Sequence, residues 1–122
     1  MRKAWLTGGF LLVAVIVYFS LVPAPQVSMD HGWDQLYHAL AYLTLMLWFV
    51  QACARKRWSV LAALCVGLGI ALEFAQRYGG YRTFSYDDML ANAGGVAIAW
   101  VLAVAGLNQG LSRLQQRYAR AL

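Results

Sequence analysis

The sequence predicts an all-α membrane protein. Four transmembrane helices are expected, with the N- and C-termini in the cytoplasm, followed by a short basic amphipathic C-terminal helix. Three observations carry this. The chain is 61% hydrophobic and only 12% charged, against roughly 25% charged residues in an ordinary soluble domain. Four apolar runs of about 18–19 residues divide it, close to the ~20 needed to cross a ~30 Å hydrocarbon core as helix. The basic residues gather in the segments that share one side if each run crosses once. Strands of a membrane barrel would show ~10-residue alternation, and none appears. With 122 residues there is room for one domain, residues 1–122.

The first run, residues 5–22, carries no charge and ends at Pro23. Arg2 and Lys3 before it and Val22-Pro23-Ala24 after it faintly resemble a secretory signal with a cleavage site. Pro25 directly follows, and its rigid ring fits an extended protease site badly. Retention as a membrane helix is expected. Residues 36–54 form the second run, interrupted by His38, Tyr42 and Gln51. The third, 58–75, holds Ser59 and Glu73, and the fourth, 89–107, holds Asn92. Cys53 and Cys65 lie inside apolar runs with no paired spacing, as small buried hydrophobes do.

Arg2, Lys3, Arg55, Lys56, Arg57, Arg113, Arg117 and Arg120 fall on one side of such a four-helix topology, and only Arg77 and Arg82 on the other. Cytoplasmic loops carry the excess of Lys and Arg, which sets the orientation. Asp30, Asp34, Glu73, Asp87 and Asp88 all fall on or near the opposite side. The net charge of +5 is thus read as orientation and headgroup contact, not as nucleic-acid binding. In the tail, 107–122, Leu111, Leu114, Tyr118 and Leu122 follow helical spacing, with Arg113, Arg117 and Arg120 on the other side. Such a helix lies on an anionic leaflet or stands as a solvated tail.

Residues 73–95 carry the functional question: Glu73, Gln76, Arg77, Arg82, Asp87, Asp88 and Asn92 crowd one turn between two apolar helices. A charge at the bilayer centre costs at least ~2.5–3.5 kcal/mol, so these residues need partners or a wet cavity. Asp34, His38 and Tyr42, spaced i, i+4, i+8, share one face of helix 2. Glu73 and Gln76 sit together near the end of helix 3, with Arg77 four residues after Glu73 and able to pair with it. The loop 77–87, with Gly79-Gly80 and then Tyr81, Phe84 and Tyr86, lies on the surface or dips into the membrane where its backbone is satisfied. Asp87 or Asp88 can N-cap helix 4. Gly95, Ala99 and Ala103 continue the face of Asp88 and Asn92, and helix 3 has its own small stripe, Ala63, Gly67, Ala71 and Ala75. Small residues four apart mark close helix packing, so Asp88 and Asn92 are expected to point into the bundle. Helix 1 offers only Tyr18 and Ser20 and is read as a bracing or lipid-facing element.

These residues resemble the motifs of the VanZ-like family of small bacterial membrane proteins. The family's Asp-Lys, two residues, His, three residues, Tyr is matched by Asp34, Gln35, His38 and Tyr42, with Gln35 where the family has Lys. Its Glu, two residues, Gln is matched by Glu73 and Gln76, and its Arg with Asp, three residues, Asn, two residues, Gly by Arg82, Asp88, Asn92 and Gly95. The match spans residues 34–95, half the chain. The family is named for a protein associated with low-level resistance to teicoplanin, a lipid-bearing glycopeptide, and the resemblance implies a multi-pass protein of the bacterial cytoplasmic membrane with no settled activity.

Four readings stay open. The first is an outward-facing site for an amphiphile headgroup: a membrane lipid, a lipid-linked cell-wall intermediate or a lipoglycopeptide. Asp34, His38, Tyr42, Glu73, Gln76, Arg82, Asp88 and Asn92 would contact it, with Arg82 and Arg77 taking phosphate or carboxylate and Tyr81, Phe84 and Tyr86 forming the rim. The second is an enzyme on a lipid-linked substrate, with His38, Glu73 and Asp88 as acid–base groups or metal ligands and Arg82 as electrostatic stabiliser. It has no HExxH and only Thr83 and Ser85 as nearby hydroxyls. Transport along Asp34–His38–Glu73 would need a homo-oligomer, because four helices lack the repeated halves of secondary transporters. Polar glue is the bland reading, though interhelical hydrogen bonds average only ~0.6 kcal/mol. No cofactor is implied.

Overall fold

The computed structural model describes residues 2–21, 31–79 and 86–121, all but the side chains of 31–34. These residues form five helices: α1 (Arg2–Leu21), α2 (His31–Val50), α3 (Trp58–Tyr78), α4 (Tyr86–Val104) and α5 (Gly110–Ala121). Short 3-10 turns at Arg55–Arg57 and Leu107–Gln109 lead into α3 and α5, and no strand occurs among the described residues. By length and composition α1, α3 and α4 can each cross a membrane, while α2 carries a shorter apolar stretch, Gln35–Val50. The chain is all-helical, with three to four helices apolar enough to span.

Helix ends differ from the apolar runs in a regular way. At the polar end α2 is helical from residue 31, ahead of the apolar run that starts at 36, α4 is helical from 86, ahead of 89, and α3 runs to 78, beyond 75. Backbone hydrogen bonding continues through polar residues after hydropathy has fallen. At the other end α2 stops at Val50 and α4 at Val104. Gly106, at φ 113°, ends α4 in the left-handed conformation that glycine adopts most readily. Its N–H donates to Ala103 O at 3.0 Å.

α2 and α4 run parallel and make the most extensive helix contact, with α3 packed on both and α1 on α2 and α3. Gly95 permits the α2–α4 approach: a Cβ there would strike the carbonyl oxygen of Ala39 and lie 3.1 Å from Leu43 N. Below it Ala99 and Ala103 are buried, with Tyr42, Leu45, Met46, Phe49 and Val50 of α2 and Val96 of α4 in the core. The small-residue face read from α4 is therefore a packing face. The stripe on α3 is not. Ala63, Gly67, Ala71 and Ala75 are exposed, and a Cβ on Gly67 would meet nothing within 4 Å. The buried face of α3 holds Cys65, Gly69, Leu72, Glu73 and Gln76 instead. Small size permits close approach without choosing the face that makes it.

α1 braces the bundle, with Gly9 its one buried residue. The rings of Trp5 and Trp48 stack at 4.0 Å between centroids. Trp5 Nε1 donates to Trp48 O and Trp48 Nε1 to Trp5 O, both at 2.8 Å. Trp48 O lies in the last turn of α2, where carbonyls lack an intrahelical donor. On Gly9 a Cβ would come within 2.6 Å of Phe49, so α1 approaches here over a glycine as well. Trp58, wholly buried, meets Trp100 edge to face at 6.3 Å.

Gly95→Ala is expected to wedge α2 from α4 and lower stability in detergent by about 1–3 kcal/mol. Gly67→Ala, into open space, is expected to be neutral or stabilising by about 0.5–1 kcal/mol. Denaturant or thermal unfolding of both variants checks this, and equal midpoints would contradict the contact.

Candidate functional site

At the polar end of the bundle, Glu73, Gln76, Asp88 and Asn92 are only 2%, 2%, 6% and 3% exposed. Four polar side chains are thus withdrawn from solvent where three helices meet, and burial of such groups is tolerated only with partners. His38 of α2 joins them. Its Nδ1 lies 3.2 Å from Asn92 Oδ1 and its Nε2 lies 3.8 Å from Asp88 Oδ2. The other ring nitrogen faces the Asp88 carboxylate. His38, Asp88 and Asn92 form a linked row joining α2 to α4.

Local structure sets each position. Asp88 and Asn92 are four residues apart on α4 and His38 and Tyr42 four apart on α2, so each pair stacks along its helix. Tyr42 is buried one turn below His38 and lies within electrostatic range of Glu73 and Cys65. Asn92 has room because residue 69 of α3 is glycine: a Cβ there would be 2.9 Å from Asn92 Nδ2 and 3.4 Å from the Tyr42 ring. Gln76 Nε2 donates to Ser20 O at 2.7 Å, answering a carbonyl in the last turn of α1. Helices α1, α2, α3 and α4 all contribute to this end.

Of the residues expected at the site, His38, Asp88 and Asn92 are brought together, Tyr42 and Asn92 both lie against Gly69, and Glu73 and Gln76 are buried near the end of α3. Asp34 lies in the first turn of α2, but its side chain is outside the described residues, as are Arg82 and the loop residues Tyr81, Thr83, Phe84 and Ser85. Whether that loop dips toward the membrane therefore also lies outside them, as does the Val22-Pro23-Ala24 segment. Tyr86 is exposed at the start of α4, Arg77 is exposed in the last turn of α3, and Gln35 is half-buried. One expectation is corrected. α4 begins at Tyr86, so neither Asp87 nor Asp88 is its N-cap; both sit in its first turn, where a carboxylate still favours the positive end of the helix. Among the described residues no group of three His, Cys, Asp or Glu side chains is gathered to hold a metal ion.

Gly69 and the Ser20 carbonyl were not legible as site elements. Gly69 lies two residues from the stripe of small residues on α3, and a backbone carbonyl leaves no trace in residue type.

This fold and polar end define a small helical membrane protein with ionisable groups buried among its helices. A profile described as VanZ/LLP1 matches residues 15–107, most of the chain, and the chain belongs to that family. It is similar to uncharacterized protein C11E3.10 of Schizosaccharomyces pombe, 30% identical over 122 residues, 96% of this chain and 74% of that protein. No solved structure matches it significantly.

Asn92→Ala removes the partner of His38 Nδ1 and leaves a hole beside Gly69. A loss of about 1–3 kcal/mol is expected in unfolding experiments. Retention of full stability would mean that the His38–Asn92 contact contributes nothing.

Proposed function

We propose that the polar end of the bundle binds the headgroup of an amphiphile. The observation that carries this is the burial of Glu73, Gln76, Asp88 and Asn92 together beside His38, at one end of an otherwise apolar bundle. A helix pair that needs only adhesion is served by hydroxyls or small residues, since membrane hydrogen bonds contribute little. Ionisable groups at such a place mark ligand or ion sites. Arg82 and Arg77, near in sequence, supply the forked guanidinium suited to phosphate or carboxylate, and Asp34, His38 and Tyr42 supply the wall from α2.

The range of ligands runs from membrane lipid through lipid-linked cell-wall intermediate to lipoglycopeptide, the last giving a route to teicoplanin-type resistance. A relative in Schizosaccharomyces pombe favours the lipid, the member of that range common to all membranes. The excess of basic residues at the opposite end supports a topology with both termini in the cytoplasm and the polar site in the outer leaflet of the cytoplasmic membrane.

A second reading, acid–base catalysis on the bound amphiphile, is favoured by one observation. His38 is held between Asn92 and Asp88, a histidine with its ring oriented and a carboxylate beside it. His38, Glu73 and Asp88 are its acid–base groups.

Native mass spectrometry of the detergent-extracted protein tests the first reading. Wild type is expected to retain phospholipid, and Glu73→Gln and Arg82→Ala to hold one bound phospholipid fewer, its retention weakened roughly tenfold, the scale of one charge-assisted hydrogen bond, with unchanged unfolding midpoints. Equal retention in all three, with stability lost in Glu73→Gln, would leave adhesion as the role of the cluster.

A further inference from the structure

The opposite end of the bundle carries a second feature, separate from the polar cluster. After the left-handed turn at Gly106, α5 is fixed at its start by Gln51, the residue that follows α2. Gln51 Nε2 donates to Leu107 O at 2.6 Å, and Gln51 Oε1 accepts from Gly110 N at 2.8 Å and Leu111 N at 3.3 Å. Leu111 is buried beneath this anchor. The face of α5 formed by Gly110, Arg113, Leu114 and Arg117, at helical spacing i, i+3, i+4 and i+7, then turns toward Trp5 of α1. Together these five residues line an open groove of about 370 Å³.

The charges in that groove are one-sided. Arg113 and Arg117 stand one turn apart, so their guanidinium groups reach the same place. Arg113 Nη2 donates to the neutral Gln109 Oε1 at 3.4 Å. Among the described residues every acidic side chain, Glu73, Asp87 and Asp88, belongs to the other end of the bundle. Trp5 and Leu114 supply an apolar wall, and a tryptophan with one face stacked on Trp48 suits the depth of lipid headgroups.

We propose that this groove is a specific site for one anionic phospholipid, with Arg113 and Arg117 on the phosphate and Trp5 and Leu114 against the glycerol and upper acyl chain. Charge complementarity chooses this occupant: two forked cations with no carboxylate beside them among the described residues, next to an apolar wall, at the basic end of a membrane bundle. A flexible basic tail would attract a leaflet diffusely. Gln51 instead ties the start of α5 to the end of α2, and Arg113 and Arg117 line one groove with Trp5, which makes a single bound lipid the expected outcome.

The test is native mass spectrometry of protein from nanodiscs of equal phosphatidylglycerol and phosphatidylcholine. Unfolding midpoints are measured alongside, and Glu73→Gln is run in parallel so that lipid held at the polar end is not counted. Wild type and Glu73→Gln are expected to retain phosphatidylglycerol roughly tenfold or more over phosphatidylcholine, the scale of two arginines at a phosphate. The double variant Arg113→Gln, Arg117→Gln is expected to lose the preference, and the double variant Arg113→Lys, Arg117→Lys to keep it only in part. Arg120→Gln, on the same helix but outside the groove, is expected to keep it. No preference in wild type, or an equal loss in Arg120→Gln, would overturn the site in favour of diffuse surface charge. A preference that survives in the double glutamine variant would overturn it outright.

Discussion

The carbonyl oxygen of Ala39 lies where a Cβ on residue 95 would be, so α2 and α4 meet at this depth only over a glycine. Much else follows from that contact. One turn above it, His38 reaches Asn92 and Asp88; below it, Ala99 and Ala103 keep the two helices close along their buried length. Dispersion between closely packed backbones is a main source of attraction in lipid, where the hydrophobic effect does not drive helices together. The same approach that holds the bundle also builds the polar row at its end.

That row is held from the other helices too. Gly69 of α3 leaves the space that Asn92 occupies, and Gln76 ties α3 to the carbonyl end of α1. The bundle is clasped again at its basic end, by the reciprocal Trp5–Trp48 pair and by Gln51. Several of these bonds answer backbone groups that a helix cannot satisfy alone, the carbonyls of Ser20 and Trp48 and the N–H groups of Gly110 and Leu111. Two chemically opposite ends result: a buried, carboxylate-bearing cluster at one, and an open, arginine-lined groove at the other.

Much of this was legible in the sequence, and the failures have a common cause. Four apolar runs gave four helices, and the leucine–arginine spacing after residue 107 gave α5. Asp88 and Asn92 were readable as inward-facing because they continue the face of Gly95, Ala99 and Ala103. The equally regular stripe on α3 misled, because Ala63 and Gly67 state that a neighbour can approach, not that one does. Gln51 looked like a polar interruption of a helix. Its partners are the backbone at 107, 110 and 111, more than fifty residues away and silent in residue type. Helix ends slipped because hydropathy follows the hydrocarbon slab, while helices run on through polar residues.

The close approach of α2 and α4 places His38 on Asn92. Solid-state NMR of the protein in bilayers, with histidine ring nitrogens and asparagine carboxamides labelled, measures this directly. The His38 ring is expected in through-space contact with the Asn92 carboxamide, at the 3.2 Å separation of Nδ1 and Oδ1, with loss of that contact in Gly95→Ala. A His38 ring with no contact to Asn92 in the wild-type protein would contradict it.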